Sequence, residues 1–174
     1  MTDRVMIDIE TLGREPGCVI CSIGGAKFDT REVGETFEAS VDITSCQEFG
    51  LEIDAETLTW WLTQSSEARA QLVGGDGLAD TLADLNRFIG DADEVWANSP
   101  SFDLAILEAA FESCGVSAPW EFYEERDFRT IKNLGIDHGI EQEGIEHDAV
   151  DDAVHQATIA ATVLGRIGEE VADE

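Results

Sequence analysis

Asp8 and Glu10 stand one residue apart in the run Val5-Met6-Ile7-Asp8-Ile9-Glu10. β-Branched residues alternate through this run, and side chains on a strand alternate between faces with period two. The run predicts a strand with Val5, Ile7 and Ile9 on one face and Met6, Asp8 and Glu10 on the other. The two carboxylates then lie roughly 6–7 Å apart along the backbone. Like charges that close raise each other's pKa unless something positive lies between them. A divalent metal is the natural candidate, because hard cations prefer carboxylate oxygens. The plain alternative is an acidic strand end that points into water, and the rest of the chain has to decide.

Two further stretches can add to that pair. The last helix opens with Glu146-His147-Asp148-Ala149-Val150-Asp151-Asp152. At 100° per residue, His147 and Asp152 on one continuous helix lie about 140° apart. They converge only if His147 sits on the preceding loop, swung back, with Asp152 one turn inside. The spacing H-x-A-x-x-D satisfies this. Asp103, in the first turn of another helix that follows a strand, supplies a fourth carboxylate. The C-x-x-C of Cys18 and Cys21 carries a weaker signal. It falls in a stretch that reads as a strand, which sets the two on opposite faces, and there is no second C-x-x-C. All four cysteines (Cys18, Cys21, Cys46, Cys114) read as small buried apolar residues in a reducing compartment.

The elements that must position these groups follow in order. After the turn-rich loop Thr11 to Gly17, residues 19–28 make a second strand and 36–41 a third, with Phe37, Ala39 and Val41 on one face. Short connections predict an antiparallel meander. Asp54 opens a helical stretch with Leu58, Trp61 and Leu62 at helical spacing. Ser65 or Ser66 caps a short helix through Leu72, and Leu78, Leu82, Leu85 and Ile89 mark an amphipathic helix that stops at Gly90. Val95 to Asn98 reads as a buried strand. Ser101 caps a helix over 102–113, residues 116–126 read as irregular and aromatic, and 127–134 as a short helix. A loop spans 135–144. The last helix runs from about Asp148 to Val171 with Ala153, Ala157, Ala160, Ala161 and Leu164 inward. The order predicts an α/β sheet with helices on it. All 174 residues read as one domain with a short acidic tail at 169–174.

Charge limits the setting. Asp and Glu total 38 against 10 basic residues, a formal net charge of −28, and only Lys27 and Lys132 are lysines. In dilute salt such a chain repels itself. At 1 M salt the Debye length is about 3 Å and most of the repulsion vanishes. The composition reads as adaptation to a salt-rich cytoplasm, in a halophilic host or its virus. An acidic mesophilic protein or a nucleic-acid mimic is the competing reading. No apolar run spans a membrane and no secretory pattern opens the chain, so the expected location is cytoplasmic, with no membrane partner.

Taken together, D-x-E at the first strand's end (Asp8, Glu10), the mid-chain Asp103 in Ser101-Phe102-Asp103-Leu104, and H-x-A-x-x-D (His147, Ala149, Asp152) resemble the DEDDh 3′–5′ exonucleases of the RNase H-like, DnaQ-like superfamily. The resemblance covers nearly the whole chain, with all five signature residues in order. A second layer of motifs narrows it: Ile7 to Gly13, Val19 to Gly24, and Asp54 to Trp61 with Gln64-Ser65 look like the branch of phage exonuclease A and RNase AS.

The resemblance implies a mixed five-stranded sheet, its first three strands antiparallel, flanked by helices. It implies that Asp8, Glu10, Asp103 and Asp152 hold two Mg²⁺ or Mn²⁺ ions and that His147 is the general base. The reaction would release nucleoside 5′-monophosphates from the 3′ ends of single-stranded RNA or DNA. Thr11 and Leu12 would flank the terminal nucleotide, Leu12 as a wedge between bases, or else pack in an ordinary turn. Trp61 or Phe102 would stack on a base, with core packing as the alternative for Trp61. Arg129 would reach a phosphate or make a surface ion pair. A homodimer is compatible with the family. Two other readings stand beside this one: a scavenger of short oligoribonucleotides, and a non-catalytic acidic binding module that kept the fold.

Overall fold

The computed structural model describes residues 2–136, 138–141 and 147–172. Three strands open the chain: β1 (Arg4–Thr11), β2 (Ile20–Phe28) and β3 (Val33–Ser40). Four helices follow: α1 (Ile43–Glu48), α2 (Ala55–Trp61), α3 (Ser66–Ala70) and α4 (Leu78–Ile89). Then come β4 (Glu94–Ala97), α5 (Asp103–Ser113), β5 (Glu125–Asp127), α6 (Phe128–Lys132) and α7 (Ala149–Ala172). The sheet order is β3-β2-β1-β4-β5. β1 pairs antiparallel with β2, and β2 with β3, whereas β4 runs parallel to both β1 and β5. This is the mixed RNase H-like sheet that the resemblance implied.

The period-two reading of β1 decides how the layers are built. Val5, Ile7 and Ile9 join a core under α4 and α5, with Leu78, Leu82, Leu85, Leu104 and Phe111. Met6 joins a second core on the other face, with Ala26, Phe28, Trp96, Phe128 and Ala153, Ala157 and Ala160 of α7. Asp8 and Glu10 share Met6's face, so they look toward α7. The alanine stripe lets α7 lie close to the sheet. β1 pairs with β4 only as far as Ile7 and Ala97. Asp8 to Thr11 therefore run past the end of β4, at the edge where the chain turns toward α5. Ligands of open α/β sheets gather at such strand ends.

Polar side chains set the helix starts. Asp42, Asp54, Ser65 and Asp127 each accept a backbone N–H at the first turn of the helix that follows. Each satisfies a donor that the helix itself leaves open.

Several details differ from the sequence reading. The fifth strand lies at 125–127, inside and just beyond the stretch read as irregular; it is three half-buried polar residues long and carries no apolar alternation. Helix α1 escaped notice for the same reason, with Cys46 its one buried residue. On α2 only Trp61 is buried; Leu58 and Leu62 face outward. Ser101 does not cap α5. Phe102 holds that position without a side-chain bond, and the Ser101 hydroxyl pairs with that of Ser99 at 2.6 Å. Cys18 precedes β2, so Cys18 and Cys21 enter the same core instead of opposite faces. The cysteines are unpaired, three of them buried and Cys114 half-buried. Of the loop read over 135–144, residues 137 and 142–144 lie outside the described residues, as does the end of the acidic tail. No helix among the described residues is long and apolar enough to cross a membrane.

Candidate active site

Three elements bring four acidic residues to one place. Asp8 and Glu10 come from β1, Asp152 from the first turn of α7 and Asp103 from the first position of α5. Carboxylate oxygens of Asp8, Glu10 and Asp152 all lie within 4.8 Å of one another. Asp103 stands close enough that its charge acts on both Asp8 and Glu10. It is buried, and its Oδ2 accepts the Ser99 N–H at 3.1 Å, which fixes it at the mouth of α5.

Such a cluster is electrostatically uncomfortable on its own. Burial, then the Asp103 charge, pushes Asp8 well above the usual carboxylate range, opposed by a hydrogen bond from Gln156. Glu10 is pushed up to about 8 by burial and by the charges of Asp152, Asp103 and Asp148. Asp103 rises to about 6, chiefly through burial. Three carboxylates held this close, with the buried Asp103 beside them, are oxygen donors that a hard divalent cation fits, since its charge offsets both the repulsion and the lost hydration.

The geometry depends on one glycine. Gly24 of β2 pairs with Asp8 across the sheet. A Cβ at Gly24 would lie 2.0 Å from the Ala149 carbonyl oxygen and 2.3 Å from the Val150 nitrogen. Only a residue without a side chain lets the start of α7 rest on the strand there, and this contact carries Asp152 to Asp8.

His147 directly precedes this helix start. Its φ of 65° is the left-handed conformation, uncommon for a residue with a side chain. The next residue, Asp148, is buried and caps α7: Oδ1 accepts the Asp151 N–H at 3.2 Å, and Oδ2 accepts Gln71 Nε2 at 2.7 Å. The imidazole is thereby turned back toward the carboxylates, with Nδ1 4.0 Å from Glu10 Oε1. The ring of Trp60 meets it edge-on at 5.1 Å between centroids, and that of Trp61 at 6.0 Å.

Beside the carboxylates opens a cavity of about 500 Å³, lined by Glu10, Thr11, Arg14, Trp60, Trp61 and Phe102 among others. Of the residues that the sequence pointed to for substrate contact, Thr11, Trp61 and Phe102 reach this cavity. Trp61 is buried, and its Nε1 donates to the Thr11 carbonyl at 2.8 Å, so its first task is to hold the turn after β1. The Thr11 hydroxyl donates to the Gly13 carbonyl at 2.6 Å. Leu12 is buried in the core, as the turn-packing alternative has it. Arg129 pairs with Asp127 and feels the Asp103 charge, which places it on the α5 side of the site. Sequence reasoning passed over Trp60, Arg14, Gly24, Gln71, Asp148 and Gln156. Of these, only Trp60 carried a signal, as an aromatic beside one already singled out.

The family model of the 3′–5′ exoribonuclease Rv2179c-like domain matches residues 3–164. An exodeoxyribonuclease of Enterobacteria phage T4 is 28% identical over 155 residues, which cover 72% of this chain and 68% of that one. E. coli exonuclease I, solved in complex with a dT13 oligonucleotide, superposes over 99% of this chain with a TM-score of 0.68 and 18% identity. The chain spans 43% of that enzyme's length. The nuclease domain of 3′hExo, a DEDDh family member solved with rAMP, superposes over 94% of this chain and 92% of its own, with a TM-score of 0.62 and 14% identity.

Proposed function

The chain belongs to the 3′–5′ exoribonuclease Rv2179c-like domain family, and on that premise we propose that it hydrolyses single-stranded RNA or DNA from the 3′ end, releasing nucleoside 5′-monophosphates. The observation that carries this reading is the meeting of Asp8, Glu10 and Asp152 within 4.8 Å, with Asp103 beside them. These four would hold two Mg²⁺ or Mn²⁺ ions, which supply charge for the phosphodiester oxygens and lower the pKa of an attacking water. The chain's own residues do the rest. His147, turned toward Glu10 with Nδ1 4.0 Å from Oε1, would take the proton from the attacking water as general base. The cavity beside Glu10 receives the terminal nucleoside, with the half-exposed ring of Trp60 and the partly buried Phe102 as its aromatic walls.

The names of the relatives cover both sugars, an exoribonuclease family and a phage exodeoxyribonuclease. The footprint is short. With a net charge of −28 the surface offers little to a long polyanion. Arg14 lines the cavity and the charge of Arg129 acts on Asp103, so these two cations are placed to meet substrate phosphate. The same charge suits a protein that works in molar salt, and its melting temperature is expected to climb steeply with KCl.

Asp8→Asn tests the reading. Turnover is expected to fall at least a hundredfold, about 3 kcal/mol of the several that such charge stabilisation supplies. Full turnover in a folded Asp8→Asn protein would refute it.

A further inference from the structure

Trp60 stands at two places at once. It is 44% exposed, and its ring forms part of the wall of the cavity beside Glu10. The same ring lies 5.1 Å from the His147 imidazole at an interplanar angle of 83°. It also meets Trp61 at 5.0 Å and 74°, and Trp61 itself lies 6.0 Å from His147, so the three rings form one cluster. Trp61 is buried and bonded to the Thr11 carbonyl, so it cannot shift without disturbing the turn after β1. Trp60 therefore touches a fixed neighbour, Trp61, and His147, and lines the cavity.

His147 is held less firmly from its own backbone. Its left-handed φ is a conformation that persists when surrounding contacts determine it. Its nearest carboxylate, Glu10 Oε1, is 4.0 Å from Nδ1, beyond hydrogen-bond distance. The aromatic pair supplies the ring contacts that orient it.

We propose that Trp60 couples occupancy of this cavity to the placement of His147, so that the terminal base is read in the catalytic step and not only in binding. The inference rests on the exonuclease reading above and deepens it. A planar base entering the cavity packs against Trp60 and confines its ring, and the confined ring holds the imidazole over the carboxylates. Trp60 is then a positioning residue, and the ligand it reads is a nucleobase face of any identity. With the cavity empty, Trp60 keeps only its contacts with Trp61 and His147, and holds the imidazole less tightly.

The test compares oligonucleotides with an intact and an abasic 3′-terminal residue, cleaved by the wild-type protein, Trp60→Ala and Trp60→Phe. The wild-type protein should lose tenfold or more in kcat on the abasic end, part of the ~10²–10⁴ that a placed general base contributes. Trp60→Ala should show that same loss on the intact end, with the abasic end adding little more. Trp60→Phe should keep most of the discrimination. The site of change is half-exposed, so a thermal melt should show a folded protein in each case. Adenosine, which carries no phosphate, should shift the His147 imidazole resonances in the wild-type protein and leave them unmoved in Trp60→Ala. The inference is overturned if Trp60→Ala raises KM with kcat unchanged, or if the two losses multiply independently. A wild-type protein that cleaves neither end would overturn the exonuclease reading itself, and this inference with it.

Discussion

Gln156 Nε2 donates to Asp8 Oδ1 across 2.8 Å, from one helical turn beyond Asp152. The bond ties α7 to β1 at the centre of the carboxylate cluster. Gln156 is itself buried, and the bond opposes the upward push on Asp8. An amide does this without adding charge. It occupies one lone pair of Oδ1 and leaves the remaining carboxylate positions for a cation, in the way that outer partners orient metal ligands.

Replacing Gln156 with Leu is therefore expected to weaken Mn²⁺ binding by roughly 10–100-fold while the apo protein stays folded. Gln156→Glu should be worse, because it sets a like charge against Asp8. Calorimetric titration of metal-free protein measures both. Unchanged affinity in Gln156→Leu would show that Asp8 needs no such partner.

Gly24 and Gly168 make a matched pair. A methyl at Gly24 would collide with the Ala149 carbonyl, and backbone has nowhere cheap to go. Gly24→Ala is expected to cost about 1–3 kcal/mol of stability. It should also cost about 10²-fold in turnover as the start of α7 is displaced from Asp8. A methyl at Gly168, an exposed position within the same helix, meets nothing within 4 Å. Gly168→Ala should instead add about 0.5–1 kcal/mol. Urea melts and kcat values on both variants check the contrast.

The cluster also fixes the sign of the pH dependence. Glu10 rises from 4.5 to about 8 and Asp103 from 3.8 to about 6 in the folded chain. The folded state thus holds these protons more tightly than the unfolded one. Their contribution to stability is full below the unfolded values and is lost as pH climbs through 6 and then 8. With EDTA present, the melting temperature should fall between pH 5 and pH 9. Saturating Mg²⁺ binds the folded chain and should flatten or reverse that fall. Parallel curves with and without metal would contradict a cation site here.

Most of the site could be read from the chain because its parts are local. A strand's alternation puts Asp8 and Glu10 on one face, and a six-residue spacing at a helix start lets His147 and Asp152 converge. What escaped depends on distant pairing. Nothing near Gly24 says that Ala149 rests on it, and nothing near Gln71 points to Asp148, 77 residues away. Trp60 and Trp61 look alike in sequence, and the turn after β1 decides which is buried. Strand β5 is three polar residues at the sheet's edge, so hydrophobic periodicity had no signal to give. For Leu12 the sequence left a wedge and ordinary turn packing open, and its burial is set by core contacts distant in the chain.

The most direct measurement follows 3′-labelled and 5′-labelled single-stranded RNA and DNA in molar KCl, with Mn²⁺ or with EDTA. Metal-dependent release of labelled mononucleotide from the 3′-labelled strand is expected, with a ladder of shortening products from the 5′-labelled one. Folded protein that binds Mn²⁺ yet leaves both strands intact, or that cuts them internally, would contradict the exonuclease reading.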